Sequence, residues 1–215
     1  MTPRIKICGL STPEMVDAAL AAGADCLGFV FYEPSPRHIS YEMAATLNAC
    51  VAGRAQKVAL TVDADDGLLA AIVAAVAPDY IQCHGRETPE RIADIRARFG
   101  VPVIKAIKLR EEGDLAQAGS YEGCADLLLF DARAPDEAAG ALPGGNGVPF
   151  DWSLLAGFAP AVPWMLSGGL DPDNLATAVA VTGAAIVDVS SGVENRPGVK
   201  DGRKIRRFLS VAKAL

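Results

Sequence analysis

The feature that most constrains the fold of this chain is a regular alternation of two sequence patterns. Short apolar runs rich in β-branched residues alternate with longer segments that have helical spacing, and the cycle repeats eight times. The runs predict strands at Arg4–Cys8, Cys26–Phe31, Lys57–Val62, Tyr80–Cys83, Val103–Ile107, Asp126–Asp131, Pro163–Ser167 and Ala185–Ser190. Because the runs are almost continuously apolar, both faces of each strand are expected to be covered. The alternation therefore predicts parallel strands joined by right-handed helical crossovers.

The segments between the strands carry local signals for helix starts and ends. They predict helices near Pro13–Ala22, Tyr41–Val51, Asp66–Val76, Pro89–Phe99, Glu111–Ala118, Phe150–Ala156 and Pro172–Val181, with a last one at Arg203–Lys213. Thr12, Thr88 and Asp171 each stand before a proline, the arrangement of a capping side chain and a first-turn proline. The expected left-handed helix ends are Gly23, Gly100 and Gly183.

Eight β-then-α units fit a closed (β/α)8 TIM barrel, and we expect residues 1–215 to form one catalytic domain of this kind. The chain is shorter than the ~250 residues typical of that fold, and an open doubly wound sheet is the alternative. In a barrel the chemistry lies at the carboxyl ends of the strands and in the loops that follow them. The search for a site can therefore be confined to those ends.

Composition narrows the class of protein. The net charge is −6 and there is no run of Lys or Arg, so neither nucleic acid nor an anionic membrane is a favoured partner. No stretch of apolar residues is long enough for a membrane helix, and no apolar signal core follows the amino terminus, which predicts a cytoplasmic protein. The five cysteines are odd in number, widely spaced and without a C-x-x-C pair, which argues against a disulfide framework and a structural zinc site.

Polar residues gather at the predicted strand ends while the strand bodies stay apolar. They are Cys8, Arg37, Gln82, His84, Asp131 and Asp188. Each has an ordinary structural interpretation when taken alone, because a free cysteine is usually buried and an aspartate after an apolar run usually caps a helix or forms a salt bridge. Their shared position at one end of a barrel makes them candidate site residues.

The ends of strands seven and eight carry the glycines of a candidate phosphate site. Gly168 and Gly169 follow the seventh strand, and Ser190, Ser191 and Gly192 follow the eighth. Backbone N–H groups of such loops, with the amino terminus of a short extra helix, bind a phosphate dianion without Lys or Arg. The segment "GVKDGRK" at 198–204 is a candidate for that short turn, and a plain tight turn is the alternative for the glycine pair.

Another glycine-rich segment, 132–149, contains "LPGGNG" and follows the sixth strand. Long glycine-containing loops at this end of a barrel are often lids. A surface insertion is the alternative.

Eight stretches of the chain match one known family in order. They are "KICGL" (6–10), "GFVFYEPSPRHIS" (28–40), "IQCHG" (81–85), "KAI" (105–107), "LLLFDA" (127–132), "GGNGVPFDW" (144–152), "LSGGLDPDN" (166–174) and "VDVSSGVENRPGVKD" (187–201). Over nearly its whole length the chain resembles the N-(5'-phosphoribosyl)anthranilate isomerases, the Amadori isomerases of the tryptophan pathway. The chain departs from the usual family pattern at Cys83, Asn146 and Ser167, where leucine, threonine and alanine are common.

The resemblance implies a reaction and a set of roles. The reaction opens the ribose ring of an aminoaldose phosphate and moves a proton from C2' to give an aminoketose, so it needs a general acid and a general base. The resemblance assigns the acid to Asp131, the base to Cys8 and the contact with the anthranilate carboxylate to Arg37. His84 and Asp188 are implied to contact substrate. It implies a small-molecule substrate, no redox cofactor and no metal.

Several alternatives stay open on the sequence alone. Lys6 lies on the same side of its strand as Cys8, roughly 7 Å away by strand rise, and can either stabilise a thiolate or pair with a barrel carboxylate such as Asp131 or Asp188. A histidine-pathway Amadori isomerase, a non-catalytic phosphate-binding barrel and a redox protein using Cys8 and Cys26 are the rival functions. A monomer is expected rather than a dimer.

Overall fold

The computed structural model describes residues 2–132 and 151–215. Eight parallel strands in this part of the chain form a closed barrel in sequence order, with β8 paired to β1. They are β1 Arg4–Cys8, β2 Cys26–Phe31, β3 Gln56–Thr61, β4 Tyr80–Cys83, β5 Val103–Leu109, β6 Leu127–Ala132, β7 Trp164–Leu166 and β8 Ile186–Val189. The barrel prediction is confirmed, and the open doubly wound sheet is excluded.

Helices cover the outside of the barrel. They are α1 Pro13–Ala22, α2 Tyr41–Val51, α3 Asp66–Val76, α4 Pro89–Phe99, α5 Glu112–Tyr121, α6 Leu175–Thr182 and α7 Gly202–Lys213. Thr12 and Thr88 cap α1 and α4 as predicted, each accepting a hydrogen bond from a backbone N–H three residues on. Within residues 2–132 and 151–215, no helix has the length and apolar character needed to cross a membrane.

Two predicted helices differ from the structure. Of the segment predicted as a helix at 150–156, the described residues 151–156 contain a short 3₁₀ helix, Trp152–Leu155, in place of an α-helix. The helix predicted from Pro172 begins at Leu175, because Asp171 caps a preceding turn by accepting from the N–H groups of Asp173 and Asn174. The capping residue was identified correctly, but the turn that it closes precedes the helix.

A small hairpin after β8 was not predicted. A 3₁₀ helix, Ser191–Val193, leads into the antiparallel strands β9 Glu194–Arg196 and β10 Val199–Lys200. The extra short helix near the candidate phosphate loops is therefore Ser191–Val193. The "GVKDGRK" segment, which was predicted to supply it, instead contains β10 and the start of α7. The hairpin lies beside the carboxyl ends of the barrel strands, where it contributes two charged residues to the site.

The inside of the barrel is apolar except at defined positions. The apolar side chains that share the interior cluster are Cys26, Val58, Ile104, Ala106, Leu127, Leu129, Met165 and Ile186. Buried polar side chains on β1, β4, β6 and β8 follow these residues towards the carboxyl ends of the strands. The interior is therefore apolar towards the amino ends of the strands and polar towards their carboxyl ends, the end at which barrels of this kind bind substrate.

Candidate active site

Two glycines make room for the side chains around Cys8. A Cβ at Gly28, the residue of β2 opposite Cys8, would lie 2.9 Å from the Cys8 sulfur. Gly9 has a φ of 78°, and a Cβ there would lie 2.6 Å from Cδ of Arg37. Gly28 thus leaves room for the Cys8 thiol and Gly9 for the Arg37 side chain, and neither side chain would fit in its present position if these glycines carried side chains.

Lys6 lies one layer below Cys8 and forms a fully buried ion pair. Its Nζ is 2.9 Å from Oδ1 of Asp188, and Ser167 donates to Oδ2 of the same carboxylate at 3.1 Å. Burial disfavours the lysine charge, but attraction to Asp188 and then to Cys8 outweighs it and raises the pKa of Lys6 above its ordinary value. Pairing with a barrel carboxylate, the alternative left open by the sequence, is therefore confirmed for Asp188.

The thiol of Cys8 is harder to ionise than a free cysteine. Burial is the main reason that its pKa is raised, and the positive charges of Lys6 and Lys200 lower the pKa of Cys8 only in part. Lys6 therefore favours the thiolate without producing it outright. The thiolate of Cys8 is therefore scarce at neutral pH but strongly basic once it forms.

Arg37 is buried at the mouth of the barrel and is held by Glu194 of the hairpin. Its Nε and Nη2 donate to the two oxygens of Glu194 at 2.8 and 2.9 Å. Burial tends to raise the pKa of Glu194, but the hydrogen bond from Arg37 and the charge of Lys200 outweigh it and lower that pKa. The guanidinium is therefore fixed in orientation by an ionised partner.

Lys200 connects the hairpin to the strand that carries Cys8. Its buried Nζ lies 2.7 Å from Glu194 Oε1 and donates to the carbonyl and hydroxyl oxygens of Ser190 at 3.0 and 3.1 Å. The Ser190 hydroxyl in turn donates to the backbone carbonyl of Cys8 at 3.1 Å. A continuous chain of polar contacts thus runs from Arg37 to the backbone of Cys8.

Across the barrel mouth, β4 and β6 place His84 against Asp131. The Nε2 atom of His84 is 3.2 Å from Oδ2 of Asp131, while the backbone N–H of Ala132 donates to Oδ1 at 2.9 Å. Both carboxylate oxygens of Asp131 are therefore held by contacts with the protein. The imidazole of His84 contacts the side chain to which the resemblance assigns the role of acid. Gly168 has a φ of 84°, and a Cβ there would lie 2.5 Å from the N atom of Ala132 and 3.2 Å from Oδ1 of Asp131.

The loops after β7 and β8 pack closely against each other. Gly169 has a φ of 66°, and its carbonyl accepts a hydrogen bond from Asn174 at 2.9 Å, which fixes the first loop. A Cβ at Gly192 would overlap the carbonyl oxygen of Leu170. The missing side chain of Gly192 is therefore needed for contact between the loops, and the Ser190 hydroxyl serves the Lys200 contact described above.

The remaining sequence predictions for this end of the barrel have different outcomes. The predicted lid, 132–149, with Asn146, lies outside the described residues apart from Ala132. Burial, followed by the charge of Glu87, raises the pKa of Cys83 to about 12, so its thiol is a neutral core group. Cys26 lies opposite Lys6, one layer below Cys8, and hydrogen-bonds to Gln56 at the other end of the barrel.

The candidate residues thus fall into two groups. Cys8, Arg37, His84 and Asp131 lie together at the carboxyl ends of the strands, whereas Asp188 lies a layer lower with both oxygens bonded. Sequence reasoning missed Glu194 and Lys200, and it named Gln82 without giving it a role. Glu194 contacts Arg37, and Gln82 contacts His84. Lys200 contacts Glu194 and Ser190. The only sequence signal for Glu194 and Lys200 was their place in the matched stretch 187–201.

The chain matches one protein family along nearly all its length. A family model described as N-(5'-phosphoribosyl)anthranilate (PRA) isomerase covers residues 5–211. Among curated proteins, the N-(5'-phosphoribosyl)anthranilate isomerase of Parvibaculum lavamentivorans is 56% identical over 213 residues, which is 99% of each chain. The corresponding protein of Azorhizobium caulinodans is 56% identical over 215 residues, covering 100% of this chain and 93% of its own.

Solved structures give the same result at lower identity. Phosphoribosyl anthranilate isomerase from Thermotoga maritima superimposes with a TM-score of 0.87 at 34% identity, covering 99% of this chain and 100% of that one. A phosphoribosyl anthranilate isomerase in complex with reduced 1-(o-carboxyphenylamino)-1-deoxyribulose 5-phosphate superimposes with a TM-score of 0.85 at 33% identity and the same coverage. The similarity therefore extends to the whole barrel.

Proposed function

The chain belongs to the N-(5'-phosphoribosyl)anthranilate isomerase family, and on that premise we propose that Cys8 is the general base and Asp131 the general acid of its reaction. Its function is the isomerisation of phosphoribosylanthranilate in tryptophan biosynthesis. The observation that carries the assignment of roles is the position of the two side chains. They lie at the carboxyl ends of β1 and β6, three strands apart around the barrel, so a substrate in the mouth can lie between them.

The acid acts first in the proposed sequence. The amine nitrogen forms a double bond to C1' while the bond from C1' to the ring oxygen breaks, and the ring oxygen takes the proton of Asp131. The hydrogen bond from the backbone N–H of Ala132 and the contact with Nε2 of His84 hold this carboxyl group in place. Fixed orientation matters because proton transfer needs the acid within hydrogen-bond distance of the atom that it protonates.

The base acts on the opened intermediate. The Cys8 thiolate removes the proton at C2', and the electron pair left behind forms a double bond between C1' and C2' and neutralises the iminium nitrogen. The resulting enolamine becomes the aminoketose when C1' gains a proton and the C2' hydroxyl loses one. The positively charged Lys6 and Lys200 lower the free energy of the thiolate, although burial opposes them.

The rest of the substrate is held by two other parts of the mouth. We assign the anthranilate carboxylate to Arg37, whose planar guanidinium suits a planar anion. We assign the phosphate to the backbone of Gly168, Gly169, Ser190, Ser191 and Gly192, since neighbouring glycine loops at this position bind phosphate in barrels. The proposed contact of Asp188 with the sugar requires substrate to reach a carboxylate that already pairs with Lys6.

The experiment that tests the acid is Asp131→Asn. We expect turnover to fall by about 10²–10⁴, as for loss of a general acid, with the Michaelis constant and the midpoint of thermal unfolding nearly unchanged. The labile substrate can be generated in place from anthranilate and phosphoribosyl pyrophosphate with a transferase, and its fluorescence loss followed. Asp25→Asn is the matched control, because Asp25 accepts a backbone N–H at the other end of the barrel. Full turnover by folded Asp131→Asn would contradict the assignment.

We also propose a domain organisation, an oligomeric state and a location for this chain. Residues 1–215 act as one catalytic barrel, the chain is a monomer, and it works in the cytoplasm. The isomerase of Thermotoga maritima is a dimer from which monomers were generated. A sedimentation mass of twice the 22.3 kDa chain mass would contradict the monomer.

A further inference from the structure

Gln82, one layer below His84 on the same face of β4, is a buried polar residue that the proposed reaction does not use. Its side chain is completely buried, and its Nε2 atom is 2.9 Å from Nδ1 of His84. Its Oε1 atom, also shielded from solvent, has no hydrogen-bond partner among the described residues. A buried amide oxygen without a partner costs free energy, about 1–3 kcal/mol. Such an arrangement calls for a reason beyond packing.

The reason lies in the different hydrogen-bonding roles of the two ring nitrogens of His84. A neutral histidine has one ring nitrogen that donates and one that accepts, so the partner of Nδ1 decides what Nε2 presents to Asp131. With the Gln82 amide N–H donating to Nδ1, the hydrogen is on Nε2, which donates to an ionised Asp131. The opposite tautomer would leave Nε2 bare to accept the proton of Asp131, which would then point at His84 and away from the substrate.

We propose that Gln82 is a positioning residue that selects the tautomer of His84 with hydrogen on Nε2 and thereby supplies Asp131 with a hydrogen-bond donor. The amide nitrogen of Gln82 faces Nδ1 of His84 and keeps hydrogen off that atom. The imidazole then donates to Asp131 and does not compete with the substrate for the proton that Asp131 donates. The inference rests on the proposed acid role of Asp131.

The histidine content makes the tautomer measurable. The chain has only two histidines, His38 and His84, so long-range proton–nitrogen spectra of protein labelled with ¹⁵N-histidine contain two rings, and His38→Gln assigns them. We expect His84 to show a single tautomer in the wild type. In Gln82→Met, which keeps the length of the side chain but neither donates nor accepts, we expect the two ring nitrogens to move towards averaged shifts.

Kinetics then test whether the tautomer matters. Gln82→Met is expected to lower turnover by about tenfold or more, since acid–base groups contribute roughly 10²–10⁴ when fully functional, with the Michaelis constant within about twofold because Gln82 is shielded from the mouth. Gln56→Met is the matched control, since Gln56 contacts Arg4 at the opposite end of the barrel. It should leave both the His84 spectrum and turnover unchanged.

The outcomes separate this inference from the proposed function. An averaged His84 spectrum in the wild type, or a folded Gln82→Met protein with an unchanged spectrum or unchanged turnover, would overturn the role of Gln82. Full activity of Asp131→Asn would instead overturn the acid. If Gln82→Met does not fold, Gln82→Glu keeps the test valid, because a carboxylate can only accept and must place hydrogen on Nδ1. Hydrogen on Nε2 alone in that variant would contradict the inference.

Discussion

At the scale of single residues, the central question is how the buried thiol of Cys8 can serve as the proposed general base. Burial raises the pKa of Cys8 and two lysines lower it only in part, so the thiolate fraction of the free enzyme must grow with pH. The value of kcat/KM reports the ionisation of the free enzyme. We therefore expect kcat/KM to rise from about pH 7 to beyond the ordinary thiol pKa of ~8.5. The logarithm of kcat/KM should increase by about one for each pH unit over this range.

Cys8→Asp provides the comparison for this prediction. A carboxylate with an ordinary pKa near ~3.9 is ionised throughout that range, so its weaker activity should not rise with pH. Cys8→Ser should be as inactive as Cys8→Ala, because a hydroxyl is a far weaker acid than a thiol. Wild-type turnover by Cys8→Ser would rule out a thiolate base. So would a pH profile of Cys8→Asp that matches the profile of the wild type.

The sequence predicted the residues at the mouth better than the contacts among them. Cys8, Arg37 and Asp131 were recognisable because each ends a strand or follows one within a matched motif. The Glu194 contact with Arg37 joins residues 157 positions apart, and no local pattern encodes such a pairing. The same holds for Gly9, whose missing side chain makes sense only once Arg37 is seen packed against it.

At the scale of elements, the sequence predicted those contacts whose partners lie within a few residues of each other. The Thr12 and Thr88 caps follow from the sequence because the capping atoms lie three residues apart. The β9–β10 hairpin was missed because its strands have three and two residues and no alternating pattern. It is stabilised through Glu194 and Lys200, whose partners lie in the loops after β2 and β8.

This hairpin leads to a prediction about Lys200. Removing its charge in Lys200→Met takes away one of the two cations that lower the pKa of Cys8, so the rise of kcat/KM should move to higher pH. Lys200→Arg keeps the charge and should restore most of the wild-type profile. Lys213→Met serves as a control, since Lys213 contacts a carbonyl of α1 on the outside of the barrel.

A structural role alone would give a different result for Lys200. Loss of stability by itself lowers the amount of active protein at every pH and leaves the shape of the profile unchanged. The prediction therefore depends on the pH at which kcat/KM rises, the alkaline limb of the profile, and not on the amount of active protein. An unshifted limb in folded Lys200→Met would mean that the hairpin does not influence the base.

At the scale of the whole molecule, closure of the barrel depends on the pairing of the first strand with the last. The two meet through backbone hydrogen bonds and through the ion pair of Lys6 with Asp188, both shielded from solvent. The eightfold alternation predicted the closed barrel because each βα unit is a local pattern. It could not predict this particular pair, since the sequence left Asp131 and Asp188 as equal candidates and only the register of β1 on β8 decides between them.

Breaking the pair should therefore weaken the whole barrel. Lys6→Met leaves the carboxylate of Asp188 buried with Ser167 as its remaining partner, and removing one member of a buried pair costs about 3–5 kcal/mol. We expect that loss in the free energy of unfolding measured with urea. The double variant Lys6→Met with Asp188→Leu should lose less than Lys6→Met alone, because no unpaired charge stays inside the barrel.

The pH dependence of this loss follows from the raised pKa of Lys6. A lysine whose pKa is higher in the folded state contributes its full stabilisation below the unfolded pKa of ~10.4 and loses it as the pH rises through the folded pKa. The stability difference between wild type and Lys6→Met should therefore be constant from about pH 6 to about pH 9 and shrink only above ~10.4. If Lys6→Met unfolds at the same urea concentration as the wild type, the pair does not hold β1 to β8, and backbone pairing with the apolar interior closes the barrel without it.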